Sequence, residues 1–291
     1  MRSERLFLCT LAAAALCAAA PSRADEASAC DPLLPLLQAA YPGLSAMPSP
    51  ASHPENARYR VDAERVLDLA PQGPSAFNAH LAVCKPWPAH EGLLLLAVPL
   101  LHPDGEREDA HRADIDLLVV DAASGQPRQR LRLAEAASDD AMMLQSVVLD
   151  TARYDLAPHN RAFGLRLTRE NNSRANPASE TVLYLIDRPQ GDTGPLRRVL
   201  GDLVVNAQVG EWDTDCAGEF HSSASTLAMA PGVTNGLHDI VLRSTSQTRR
   251  NRVERGECVE QATDQEVDRE TLRFDGRQYP VPQTLHTMAA G

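Results

Sequence analysis

From residue 58 onward the chain is a succession of short runs rich in Val, Leu and Ile, and these constrain its fold more than anything else. They cover 58–62, 79–84, 92–101, 114–121, 127–133, 143–149, 162–169, 180–187, 197–209, 219–229, 237–245 and 267–281. Turn dipeptides part many of them: Asp104-Gly105, Ser124-Gly125, Gly191-Asp192, Asn235-Gly236 and Asp275-Gly276. Short apolar runs between such signals are strands joined by hairpins. The clearest hairpin spans 114–133, and a second is expected over 270–281 about Asp275-Gly276. One helix is expected, over Asp31 to Ala40, with Asp31 as cap, Pro32 in the first turn and Tyr41-Pro42-Gly43 as its stop. Many strands and one helix make an all-β chain, a sandwich, barrel or propeller. Residues 44–57, with Pro48, Pro50 and Pro54, read as an irregular linker closing an N-terminal piece of 25–57, and 58–291 as a single β domain.

The first 24 residues have the plan of a secretory signal peptide. Arg2 and Arg5 precede an apolar run from Leu6 to Ala20, and Ser22-Arg23-Ala24 fits small-residue cleavage before Asp25. The run is short of the roughly 20 apolar residues that span a bilayer. Neither Cys9 nor Cys17 suits a lipid-anchoring site, since Leu16 stands directly before Cys17.

Export gives the cysteines meaning. Cys30, Cys84, Cys216 and Cys258 remain after residue 24, and an even number in an oxidising compartment reads as two disulfides. Of the three pairings, the near-neighbour one is expected: Cys30–Cys84 to tie down the N-terminus, and Cys216–Cys258 to close a polar excursion. Zinc is disfavoured, since no C-x-x-C pair occurs. The net charge of −11 opposes binding to phosphate backbones, so no nucleic-acid partner is expected. Lys85 is the only lysine, a bias of composition that leaves Arg to carry the positive charge.

Catalytic patterns are missing. The chain holds no G-x-S-x-G, S-x-x-K, H-E-x-x-H, Walker or G-x-G-x-x-G sequence. The sharpest polar pattern is Glu211-Trp-Asp213-Thr-Asp215-Cys-Ala-Gly-Glu219. Carboxylates on alternate residues of a tight loop suit calcium, which takes six to eight oxygen ligands. Glu211, Asp213, Asp215 and Glu219 are therefore the calcium candidates, against a solvated acidic turn beside a disulfide. Glu211 and Asp213 also stand at a spacing open to glycoside hydrolysis, without a partner motif. A second cluster runs from His102 to His111 and reads as a solvated loop. The basic run Arg243, Arg249, Arg250, Arg252 and Arg255, followed by acids from Glu257 to Glu270, reads as an exposed loop of balanced charge.

Thr234-Asn-Gly-Leu-His-Asp-Ile-Val-Leu242 resembles the FG-GAP or VCBS-type repeat, and Leu272-Arg-Phe-Asp-Gly-Arg-Gln-Tyr279 resembles the hairpin that follows it. This resemblance implies a propeller-like arrangement, with a multi-hairpin architecture as its less regular form. The stretch 84–282 is similar to a family of exported proteobacterial proteins of unknown function, through Cys84-Lys-Pro-Trp-Pro88, Leu149-Asp-Thr-Ala-Arg-Tyr154, Asn172-Ser-Arg-Ala-Asn-Pro177 and Gly210 to Phe220. That resemblance implies export and β structure and carries no activity.

Together these features lead to an expectation: a periplasmic or secreted, non-catalytic β protein that binds a protein or an envelope glycan. The alternatives are an inhibitor or immunity protein of a cell-wall hydrolase, and a secreted hydrolase using Glu211 or Asp213.

Overall fold

The computed structural model describes residues 29–49, 51, 54–69, 81–102, 112–138, 141–189 and 194–286. The signal segment, Asp104-Gly105, His111 and Gly191-Asp192 lie outside them. The described residues form one short helix, α1 (Leu33–Ala40), and two antiparallel seven-stranded sheets. Sheet A holds β1 (Ser45–Met47), β2 (Ala57–Arg60), β3 (Val66–Leu69), β4 (Val83–Pro86), β5 (Leu93–His102), β6 (Arg112–Asp121) and β7 (Pro127–Ser138). Sheet B is a meander of β8 (Met143–Ala157), β9 (Asn160–Glu170), β10 (Ala178–Asp187), β11 (Arg197–Trp212), β12 (Gly218–Thr234), β13 (Leu237–Glu254) and β14 (Glu257–Leu272), each pairing with the next.

The all-β class and the single short helix agree with the sequence. The strands group seven and seven, not in the four-stranded blades that the repeat resemblance implies, and among the described residues sheet B runs from β8 at one end to β14 at the other. The reason lies in strand continuity. Asn235-Gly236 does form a two-residue turn with both residues at positive φ, 49° and 87°. The strands it joins, however, run well past a blade's length. The 270–281 hairpin does not form: β14 stops at Leu272, and the Asp275 carboxylate accepts the N–H groups of Arg277 and Gln278. The chain then turns Phe274 and Tyr279 into a core. Two further elements depart from expectation. The supposed linker contains β1, paired with β2. The helix starts at Leu33 with Pro32, not Asp31, at its cap and no side-chain cap bond.

Three cores result. β5 and β6 are unbroken apolar runs because both faces are covered, as expected of central strands with near-continuous hydrophobics. Leu95, Ala97, Ile115, Leu117 and Val119 enter the core between the sheets, with Phe163, Leu165 and Leu167 of β9. Leu94, Leu96, Leu100, Leu118 and Val120 face a second core closed by Leu36 and Leu37 of α1. Tyr41, just beyond α1, donates its hydroxyl to the buried Asp116 at 2.8 Å. β10 is likewise shared: Val182 and Tyr184 face the inter-sheet core, Leu183 and Leu185 a third core with Ile240, Leu242, Leu272 and Tyr279.

Both disulfides pair as expected. Cys30–Cys84 ties the chain before α1 to β4 with Cα atoms 5.7 Å apart, and Cys216–Cys258 links the β11–β12 connection to β14 at 5.6 Å. They point to an oxidising, extracytoplasmic setting. Among the described residues no helix is long and apolar enough to cross a membrane.

Candidate binding face on the long strands

Sheet B extends well beyond its cores. The polar stretch from Arg243 to Glu270, expected as a loop, is the continuation of β13 and β14, whose ladder runs from Ile240–Leu272 to Glu254–Glu257. Serine, threonine, glutamine and arginine fill it in place of apolar residues, so no face is marked by hydropathy. Charge pairs across strands support it instead: Arg250 Nε reaches Glu219 at 2.5 Å and Arg249 lies 3.7 Å from Glu260. Such exposed pairs contribute little each. Cys216–Cys258 holds the far end.

Local chemistry shapes that end. Gly210 and Gly218 leave room that a side chain would fill, since a Cβ at Gly210 would meet the Phe220 ring at 2.5 Å and one at Gly218 the Trp212 Cβ at 2.2 Å. Trp212 Nε1 donates to the Arg174 carbonyl at 2.5 Å, and Gly210 N–H to the Pro177 carbonyl at 2.9 Å. The 171–177 loop is thereby stitched to β11. Arg249 lies over the Phe220 ring at 5.2 Å, a cation–π contact.

Of the four calcium candidates, Glu211 and Glu219 are brought side by side, and Asp213 and Asp215 lie in the turn that precedes β12. The Asp213 carboxylate accepts N–H bonds from Asp215 at 2.9 Å and Cys216 at 2.8 Å, which hold its pKa below the usual carboxylate range. Glu219 is turned to Arg250, which lowers its pKa, with His221 3.1 Å away adding to the effect. Glu211 sits directly opposite Glu219 in the ladder, on the next strand. Asp215 is exposed. Among the described residues no group of three His, Cys, Asp or Glu is placed to hold a metal ion. The Asx-type turn at Asp213 explains the pattern: its carboxylate serves the backbone of its own loop. The His102–His111 cluster lies mostly outside the described residues, and His102 itself sits 3.2 Å from Asp114.

The register brings together residues that nothing in the linear order would join. Glu170, Ser179, Gln208, Ser222, Gln247 and Gln265 pair successively, one per strand from β9 to β14, and so form a transverse row. Next to it lies a parallel row of Thr168, Thr181, Asn206, Ala224, Thr245 and Val267. At β9 and β10 this face is turned away from sheet A, because the alternate residues Leu167 and Val182 enter the inter-sheet core. A shallow groove of about 530 Å³ runs along it, lined by Glu170, Ser179, Gln208, Ser222 and Gln247, with Phe220 and Arg249 on its wall. Gln208, Ser222 and Gln247 are exposed. The signal that finds such a row is register, which a hydropathy profile does not report.

A second groove, of about 520 Å³, opens where β7 meets β10 and β11. Its guanidinium groups are already matched: Arg132 to Asp116 at 3.4 Å, Arg169 to Glu180 at 3.3 Å and Arg198 to Asp202 at 3.8 Å. Tyr184 donates to Asp202 at 2.9 Å, and burial raises its pKa beyond the usual phenol range. The arginines of this groove are engaged in ion pairs, and Glu135 on its rim is exposed. Lys85, the single lysine, donates to the Leu149 carbonyl at 3.1 Å and serves the junction of the two sheets. Compared with protein-family models, curated proteins and solved structures, the chain matches none.

Proposed function

We propose that the chain is an exported, non-catalytic β protein of the periplasm or the secreted fraction, which binds its partner on the outer face of β9–β14. The observation that carries this reading is the transverse row from Glu170 to Gln265, one side chain per strand, along an open groove. Two disulfides and the signal-like leader support export. A stretch of sheet whose side chains neither build a core nor converge on a reactive group is suited to recognition. The test is retention. Disulfide-intact protein, immobilised, is exposed to envelope extract beside a Gln208→Ala, Gln247→Ala variant. The wild-type protein is expected to retain material that the variant loses; equal retention by both removes this face from the function. A second reading, an inhibitor of a basic cell-wall hydrolase, draws on the exposed acids Glu266, Asp268 and Glu270 of β14, which would steer a cationic enzyme.

A further inference from the structure

We infer that the ligand of this groove is an extended, uncharged, hydroxyl-rich glycan strand, laid across the strands along the Glu170–Gln265 row. The inference rests on the reading of this face as the binding face and adds the chemical class of what it holds.

Three observations favour that class. First, between Glu170 and the apolar and charged wall of the groove, four neighbouring strands each present a neutral side chain that both donates and accepts: Ser179, Gln208, Ser222 and Gln247. A serine hydroxyl and a glutamine amide each do both, which matches a sugar hydroxyl and is wasted on an anion, which needs donors only. Among the described residues Ser179, Gln208, Ser222 and Gln247 enter no side-chain hydrogen bond or ion pair, so these groups are not spent within the fold. Second, the groups repeat at the strand spacing of about 4.8 Å, close to the advance of one pyranose ring along an extended chain. Six strands therefore offer about 24 Å of evenly spaced polar contacts. Third, the one cation on the groove wall is compensated. Arg249 lies between Glu260, at 3.7 Å, and the Phe220 ring, so its charge is engaged within the fold.

A protein partner fits less well. Interface centres are built on aromatic and large apolar anchors, whereas Val267, at the outermost end of the neighbouring row, is the only exposed large hydrophobic in either row among the described residues. Nucleic acid is opposed by Glu170 and the compensated Arg249.

The experiment is calorimetric titration of the disulfide-intact protein with β-1,4-linked oligomers of glucose and of N-acetylglucosamine as probes, with oligogalacturonate as the charged comparison. Affinity is expected to rise with chain length up to about six units, the number of strands crossed. Oligogalacturonate is expected to bind more weakly than either neutral series. Gln208→Ala and Gln247→Ala should each weaken binding about tenfold, the loss of one or two well-placed hydrogen bonds. Both lie on an exposed face, so unchanged far-ultraviolet circular dichroism and an intact Cys216–Cys258 bond verify the fold. The inference is overturned if neither neutral series binds, or if both variants bind as the wild type does. The envelope-retention assay separates the two failures. If retention depends on Gln208 and Gln247 while neutral oligomers do not bind, the face stands and its ligand is of another class. If retention is also indifferent to them, both readings fall.

Discussion

β5 and the outer reach of β13 are both long antiparallel strands, and they are built on opposite terms. Leu94 to Val98 of β5 are almost wholly buried, alternate residues entering two different cores. Arg249 to Glu254 of β13 have no buried residue at all. The first strand is held by apolar area, worth about 25 cal/mol per Å² removed from water. The second is held by its backbone ladder, by cross-strand pairs of a few tenths of a kcal/mol and by a disulfide. The comparison teaches that this sheet carries two kinds of stability in one continuous set of strands. The core fixes its base, and covalent and ladder constraints fix its far end.

The largest expected effect lies in the core. Phe163 is fully buried and meets the edge of Trp87 at 5.3 Å. Phe163→Ala should cost about 3–5 kcal/mol of global stability, measured by urea unfolding. A loss below about 1 kcal/mol would show that the inter-sheet core is not what holds the body together.

Opening the Cys216–Cys258 loop is next. Its 42-residue separation gives an upper figure of about 4 kcal/mol on the chain-entropy account. With both cysteines changed to serine, amide exchange should quicken in the outer halves of β12–β14 while β5 and β6 keep their protection. Equal quickening in β5 would mean that the far end and the core unfold as one unit, and the comparison would fail.

Acid should produce the smallest change, and in the body it acts at Asp150. Burial pushes the Asp150 carboxyl up, but hydrogen bonds from the Tyr154 hydroxyl at 2.7 Å, the Ala152 N–H at 2.9 Å and Arg166 at 2.7 Å outweigh it, and its pKa falls below the usual range. Tyr154 responds in the opposite sense, raised to about 12 by burial and by Asp150. A lowered carboxyl stabilises fully above its ordinary value of about 3.9 and loses that contribution as pH falls through its folded value. Asp150→Asn should cost about 1–3 kcal/mol at neutral pH and flatten the acid limb of the stability curve. An unchanged acid limb would assign that limb to other carboxylates.

The body was legible in the sequence because its strands carry their environment in their composition: Leu93 to Leu101 and Asp114 to Val120 read as strands and are strands. The disulfides were legible from chain separation. β1 and β3 were not, being three and four residues long. The outer reach of β13 and β14 was hidden for a different reason. Arg243 to Glu254 carries no apolar alternation because neither face is buried, so only its turn at Arg255-Gly256, both at positive φ, marks a hairpin. At Asp213 the carboxylate forms the turn of its own loop, a use that places oxygen acceptors at the same spacing as a metal loop does. The polar row is a property of five registers at once and has no trace in local sequence.

β14 ends sheet B, and among the described residues its outward-facing backbone pairs with no further strand. An open strand edge of this length is a template on which another copy can grow. Here the edge strand is predominantly acidic, through Glu257, Glu260, Glu266, Asp268 and Glu270 against the single Arg269. Two copies approaching edge to edge bring like charges into line, and that repulsion reaches about 8 Å at physiological ionic strength and only about 3 Å at 1 M salt. The protein should therefore stay dispersed in dilute buffer and become prone to edge-wise growth when salt screens these carboxylates or acid neutralises them.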